Sequence, residues 1–266
     1  MIEEIRRILM IEKIIITYIY HSCYTVEIGD YFIIFDYYKG VLNIPEDKIV
    51  IFVASHGHSD HYTSEILKIP NMKNYTYILS SDIGHLESDD NIIYIKDNKL
   101  GMDQLKSLYN SKNVYLVDPY QFKEININGR KISIKTFGST DEGISLILYI
   151  ESLSIFHAGD LNYWAWEDYD DKRLKKEYYA FIDQVEKIKK DSIDIAFFPV
   201  DYRLGENYYK GAKIFADTVK PQLMFPIHSG DHESISQRFA REIKLEETVF
   251  RAIIDKGQKI IVDIKD

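Results

Sequence analysis

The chain has 266 residues, enough for one large domain or two small ones, and a hydrophobic content of 45% supplies a sizeable core. Lys and Arg number 33 against 42 Asp and Glu, a net charge of −9, which argues against a general nucleic-acid binder because phosphates need a basic face. With 13 Gly, 6 Pro and 14% aromatics, collagen, coiled coil and extended disorder are excluded, and the single cysteine, Cys23, excludes an internal disulfide framework and a Cys-rich zinc site.

In chain order, residues 1–9 read as a helical extension ahead of a second methionine, Met10. A single domain is expected over residues 10–266. The apolar run from Ile14 to Tyr20 is far short of the ~20 residues that span a bilayer. Glu3, Glu4 and Glu12 surround the first apolar stretch and no small-residue cleavage site follows, so no signal peptide is read. A cytoplasmic location is expected, in keeping with the lone thiol.

Residues 13–20, 23–28 and 32–35 are short, β-branched or aromatic strand candidates, with a turn at Gly29-Asp30. Residues 49–54 form a continuous apolar run, as in a strand buried on both faces. A polar His-rich loop follows, then a short helix over 64–68. Strands are expected at 75–79, 91–95 and 114–117. Residues 123–128 and 130–137 form a hairpin around Asn128-Gly129, and 144–150 pairs with 153–157. The second half alternates: a charged helix over 170–190, a strand at 193–199, a helix over 208–219 ahead of Pro221, a strand at 222–227, a helix over 233–243 and a strand at 259–264. Meanders followed by strand–helix alternation predict an α+β domain with an α/β second half. The expected architecture is two sheets face to face with helices outside, a four-layer αββα sandwich.

Ser55-His56-Gly57-His58-Ser59-Asp60-His61 places three of the chain's 8 histidines and one carboxylate within six positions, directly after a buried strand. His56 and His58, two apart, point to one side of an extended turn. Asp60 and His61 face a neighbouring point. That pattern suits two adjacent metal ions better than one, and it competes with a polar loop holding incidental histidines.

His-x-His-x-Asp-His after a buried strand resembles the signature of the metallo-β-lactamase superfamily. The layout is similar to its ascorbate-phosphate lactonase branch, and the resemblance runs from Met10 onward. His21-Ser22-Cys23-Tyr24 with Phe35-Asp36-Tyr37-Tyr38 is similar to the family's first hairpin. Phe156-His157-Ala158-Gly159-Asp160 resembles the strand end that delivers a bridging carboxylate. Pro226-Ile227-His228-Ser229-Gly230 resembles the strand end that carries the last histidine.

The resemblance implies the metallo-β-lactamase fold and one or two divalent ions, zinc first, with manganese, iron or nickel also suited to such donors. It implies that His56 and His58 bind the first metal, that Asp60, His61 and His228 bind the second, and that Asp160 bridges them. A metal-bound hydroxide would be the nucleophile, with Asp60 as the catalytic residue that orients it and accepts its proton. One departure stands out. Where the family places a third histidine for the first metal, Gly138-Ser139-Thr140 carries Ser139, whose hydroxyl is a poor donor. The second position is therefore expected to be the tighter one, and Asp141, Glu142 or another residue is left to complete the first.

Around these, Asp36 is placed to fix the tautomer of a metal-bound histidine. His157 either acts likewise or is a packed strand residue, and His21 lines the pocket. Cys23 reads as a buried small hydrophobe. His85 and His232 read as structural or surface residues, His232 as a helix cap. Trp164, Trp166, Tyr37, Tyr38, Tyr62, Tyr202 and Arg203 either wall a pocket, with Arg203 or Lys39 meeting an anion, or pack a loop on the sheet. The basic runs 172–176 and 187–190 read as a solvated helix face.

The resulting expectation is a hydrolase of a small ester, lactone or phosphodiester, with a small-molecule substrate and no nucleic-acid or membrane partner. Two alternatives stand beside it: a nucleic-acid processing hydrolase of the same superfamily, and a non-catalytic metal- or ligand-binding member. A redox di-iron role is disfavoured, because relatives of that kind usually have a carboxylate at the position of His58.

Overall fold

The computed structural model describes residues 13–69, 75–84, 93–95, 98–100 and 113–263. The expected extension over 1–9, the start of the strand expected at 91–95, the end of the one expected at 259–264, and His85 lie outside them. The strands are β1 (Lys13–Tyr20), β2 (Cys23–Ile28), β3 (Tyr31–Phe35), β4 (Ile49–Ala54), β5 (Thr76–Ser80), β6 (Ile93–Ile95), β7 (Asn98–Leu100), β8 (Val114–Val117), β9 (Phe122–Ile127), β10 (Arg130–Phe137), β11 (Ser145–Ile150), β12 (Leu153–His157), β13 (Ile195–Pro199), β14 (Leu223–Ile227), β15 (Val249–Phe250) and β16 (Lys259–Asp263).

Two seven-stranded sheets result, in the orders β16-β1-β2-β3-β4-β5-β8 and β15-β14-β13-β12-β11-β10-β9. They share one plan. In the first, β1, β2 and β3 form an antiparallel meander that hands over to parallel β4, β5 and β8. In the second, β9 to β12 are antiparallel and β13, β14 and β15 continue in parallel. Residue pattern explains the placement. β4, β12, β13 and β14 are buried almost end to end, as parallel strands covered on both faces must be. In β9, by contrast, Ile125 and Ile127 are buried while their neighbours are exposed, as at an edge with one wet face. At the β9–β10 turn, Asn128 and Gly129 both have positive φ, 52° and 84°, the conformation that lets a two-residue turn follow the strand twist.

Between the sheets lies one core that includes Tyr24, Phe35, Phe156 and Phe197, each fully buried and each contributing roughly 1.5–3 kcal/mol by leaving water. Helix α1 (Asp171–Ile188) starts where the Asp170 side chain accepts from Arg173 N, and it buries Phe181, Val185 and Ile188. It packs against β10 and α2 (Lys210–Val219), which ends in left-handed Lys220 just before Pro221. A second core covers the far face of the first sheet with Tyr62, Ile66 and Leu67, under a 3-10 turn (Ser64–Lys68) where a short helix was expected.

One local expectation fails. Helix α3 (Ser234–Glu242) has Glu233 at its N-cap with no side-chain bond, so His232 does not cap it. His232 lies one residue before that N-cap, against the Tyr202 ring with centroids 3.7 Å apart. No helix among the described residues is long and apolar enough to cross a membrane.

Parallel strands deliver their C-terminal ends to one edge. β3, β4, β12, β13 and β14 therefore release Asp36, His56, Asp160, Asp201 and His228 on the same side of the sandwich. Several bonds tie the two sheets together there. His228 N donates to His21 O at 3.1 Å, Ile144 N to Ser55 O at 3.0 Å, and the Tyr24 hydroxyl to Pro226 O at 2.6 Å.

Candidate metal centre

Two donor groups form where the sheets meet. His56, His58 and Asp160 make one; His21, Asp60, His61 and His228 make the other, with the atoms of each within 4.8 Å of one another. Asp160 joins them. Its Oδ2 lies 3.5 Å from His56 Nε2, and its Oδ1 lies 3.0 Å from His61 Nε2 and 3.3 Å from His228 Nε2. All six sequence-predicted ligand residues are thus within reach of one carboxylate or of its immediate neighbours.

Hydrogen bonds fix which ring nitrogens face the gap. Asp36, fully buried, accepts from Ser55 N, from the Ser55 hydroxyl and from His61 Nδ1, each at 2.7 Å. His61 therefore carries its proton on Nδ1 and presents a lone pair at Nε2. Asp201 accepts from His228 Nδ1 at 2.8 Å, which does the same for His228. The Ser55 hydroxyl, donating to Asp36, accepts from His56 Nδ1 at 2.9 Å. His58 has Glu142 Oε2 at 3.4 Å from its Nε2, so its Nδ1 faces inward, 2.9 Å from His56 Nε2.

The outcome is a cluster of lone pairs. His61 Nε2, His228 Nε2 and Asp160 Oδ1 are buried without a hydrogen-bond partner among the described residues. With Asp160 Oδ1 3.0 and 3.3 Å from the two nitrogens, such a cluster calls for positive charge, from protons or from a bound cation. Ligands ~2.1 Å from a tetrahedral ion are themselves about 3.4 Å apart, so the observed separations fit a divalent cation. Charge preference points the same way. Burial alone lowers the pKa of both His61 and His228, yet Asp160 with Asp36 or Asp201 outweighs it and raises both, well above the ordinary value for His61. Burial pushes the Asp160 carboxyl up, but His61 and His228 hold it well below the usual range. Asp36 is pulled down to about 2 against its burial, by His157 and His61 first.

His21 differs from the others. Its Nδ1 accepts from Gly230 N at 3.1 Å, and burial lowers its pKa to about 4, so the ring is neutral and protonated on Nε2. Its Nε2 lies 3.5 Å from Asp60 Oδ2. His21 Nε2 is itself buried without a hydrogen-bond partner among the described residues, and it stands in the same donor group as Asp60, His61 and His228. His21, Asp36 and His228 all have positive φ, of 55°, 44° and 67°, a cost the surrounding bonds must offset.

Other expectations sort cleanly. His157 is a packed strand residue: its Nδ1 accepts from Gly159 N, its Nε2 donates to Ser22 O, and its ring stacks on Phe35. The Ser139 hydroxyl accepts from Asp141 N at 3.2 Å, and Ser139 is in neither donor group. Glu142 reaches the first group only through the back of His58. Cys23 is buried, and burial raises its thiol well above the usual value. Asp201 escaped the sequence reading. Its only signal was its place two residues past a buried strand, close to the one- and three-residue offsets at which β3 and β12 deliver Asp36 and Asp160.

A cavity of about 420 Å³ opens on the centre. Trp164, Trp166 and Arg203 line it, as one reading of the aromatic residues had it. Tyr37, Tyr38, Tyr62 and Tyr202 do not. Tyr37 donates to Gly40 O, Tyr38 packs on Tyr20, Tyr62 belongs to the outer core and Tyr202 lies on His232. Lys39 sits over the Tyr20 ring. Arg173, expected on a solvated face, turns into the cavity wall, because α1 begins beside it.

Comparison with known proteins agrees with this picture. The family described as "Beta-lactamase superfamily domain" matches residues 15–172. The UPF0173 metal-dependent hydrolase YtkL of Bacillus subtilis is 25% identical over 234 residues, covering 84% of this chain and 88% of its own. Igni18, described as a novel metallo hydrolase of Ignicoccus hospitalis, superposes with a TM-score of 0.60 at 14% identity, over 95% of this chain and all of its own. The diiron β-hydroxylase CmlA of Streptomyces venezuelae has a TM-score of 0.55 at 9% identity, over 95% of this chain and 54% of its own. The last two share the fold, and since one is a hydrolase and the other a hydroxylase, the fold does not by itself choose the chemistry.

Proposed function

From its place in the metallo-β-lactamase superfamily, to which this chain belongs, we propose that it is a metal-dependent hydrolase of a small ester, lactone or phosphodiester. One observation carries the reading: buried, unpartnered nitrogens of His61 and His228 converge on Asp160, each aimed from behind by a carboxylate. The name of the relative YtkL supports the same class. His56, His58 and Asp160 would hold one divalent ion, and Asp60, His61, His228 and Asp160 a second. When bound, such ions supply Lewis acidity, activating water at neutral pH and polarising the substrate oxygen.

The chain's own groups do the rest. Asp36, Asp201 and the Ser55 hydroxyl aim three imidazoles so that no reorientation is needed during reaction. Asp60, 44% exposed at its side chain, stands at the cavity with His21 on its flank. Burial works against its ionisation, but the neighbouring His21 and His61 keep its carboxyl well below the usual range. It is therefore ionised at neutral pH and can accept a proton from water at Oδ1 or Oδ2. Trp164 and its neighbours exclude bulk solvent from one side.

The second position is the tighter, because its two imidazoles are fully oriented by buried carboxylates, whereas His58 is part-exposed and leans on a part-exposed Glu142. Elemental analysis of the purified protein, followed by a screen of phosphodiesters and lactones with Asp60→Ala as control, tests the reading. Divalent metal and turnover that drops by at least ~100-fold in the variant are expected. Undiminished turnover in Asp60→Ala rejects the assigned role.

A further inference from the structure

Two features of the cavity wall take no part in holding metal. The first is the indole pair Trp164 and Trp166, rings within 10° of parallel and 6.0 Å between centroids. Trp164 Nε1 donates to Asp160 O at 3.1 Å, which fixes the indole wall to the segment that carries the bridging carboxylate. The second is Arg173. Of the cavity's two guanidinium groups, that of Arg203 is committed: it grips both oxygens of buried Asp201 at 2.6 to 3.0 Å. Arg173 lies 3.6 Å from the Tyr169 ring centroid and donates to the Tyr169 hydroxyl at 2.6 Å, and it forms no ion pair among the described residues. It stands in the first turn of the 18-residue helix α1, whose positive dipole end adds to its charge.

We infer that Arg173 anchors an anionic group and that Trp164 and Trp166 receive a flat apolar body beside it, so that the substrate of this centre is a planar organic anion. A guanidinium fork matches carboxylate and phosphate oxygens alike, and stacking on Tyr169 holds the fork without neutralising it. The indoles supply the aromatic part of an otherwise largely polar wall, with the Arg203 guanidinium 5.7 Å over the Trp166 ring. In a chain of net charge −9, a fixed local cation is also what offsets long-range repulsion of an anion. The inference rests on the hydrolytic reading only in calling the occupant a substrate.

Both tryptophans of the chain line this cavity, so intrinsic fluorescence reports its occupancy without turnover. The metal-loaded protein is titrated with benzoate, with phenylphosphonate and with neutral benzamide. Saturable quenching by the two anions is expected. Arg173→Gln should weaken both about tenfold, or 1.4 kcal/mol, Arg173→Lys should recover part of the loss, and benzamide should respond to neither change. Trp166→Leu should weaken all three probes. An effect on one anion alone assigns the anchor to that headgroup. Anion binding that Arg173→Gln leaves intact overturns the inference, because the metal ions alone then hold the anion. Equal weakening of benzamide, or no quenching by any probe, overturns it too. Metal content and turnover are read separately, so loss of this inference leaves the hydrolytic reading standing, and the reverse.

Discussion

Asp160 is the residue on which the centre turns, since its two oxygens face different histidines at 3.0 to 3.5 Å. The residues behind those histidines decide how well each position is held. Calorimetric metal titrations of His228→Ala and His56→Ala should therefore differ, with the larger loss of affinity for His228→Ala; the reverse order would reject the second position as the tighter. Asp36→Asn keeps the side chain's size but removes the charge that three donors share. Metal affinity should fall by about 10- to 100-fold, while circular dichroism stays that of the parent. An unchanged affinity would make Asp36 a purely structural group.

At the level of elements, loops from both sheets must approach closely to bring the donors together. Gly143, with φ of 68°, shows the cost. A Cβ there would lie 2.2 Å from Ser55 O and 2.4 Å from His56 Cβ, both on the metal loop. Gly129, with φ of 84°, has nothing within 4 Å. Gly143→Ala should destabilise the protein by about 2–4 kcal/mol in denaturant unfolding, from crowding plus backbone strain, whereas Gly129→Ala should cost only about 1–2 kcal/mol. Equal losses would mean that crowding against Ser55 and His56 contributes nothing. The same contact fixes the turn that carries Ser139. The turn is pinned by Ile144 N on Ser55 O, and the Ser139 hydroxyl is taken up by Asp141 N.

For the whole molecule, protons and metal compete for the same nitrogens. Without metal, His61 and His228 have folded-state pKa values above the unfolded value of about 6.5, because Asp160, Asp36 and Asp201 outweigh burial. Stabilisation from a raised value is complete below about 6.5 and is lost as pH rises through the folded values. Metal binding needs the same rings deprotonated, so it strengthens over that window. Thermal unfolding of chelator-treated protein should thus shift to lower temperature as pH goes from about 6 to about 8. Protein with excess metal should not follow, and at 100 times the dissociation constant should gain about 2.7 kcal/mol. Parallel pH trends in the two forms would separate these histidines from the metal.

The two-sheet sandwich and its strands were legible in the sequence because burial imposes residue pattern directly: continuous apolar runs for β4 and β13, alternation for β9, Asn-Gly for the β9–β10 turn. The His56-to-His61 loop was legible because its donors are adjacent in the chain. What the sequence could not determine is which atoms face inward. The tautomers of His21 and His228 depend on Gly230 N and Asp201, far away in sequence for His21 and unmarked by any motif for both. Arg173 read as a solvated face because helical periodicity describes a helix by itself, not the strand ends its first turn lies beside. Local pattern sets elements and strand ends. Hydrogen-bond direction and the pairing of charges across two sheets exist only once those ends meet.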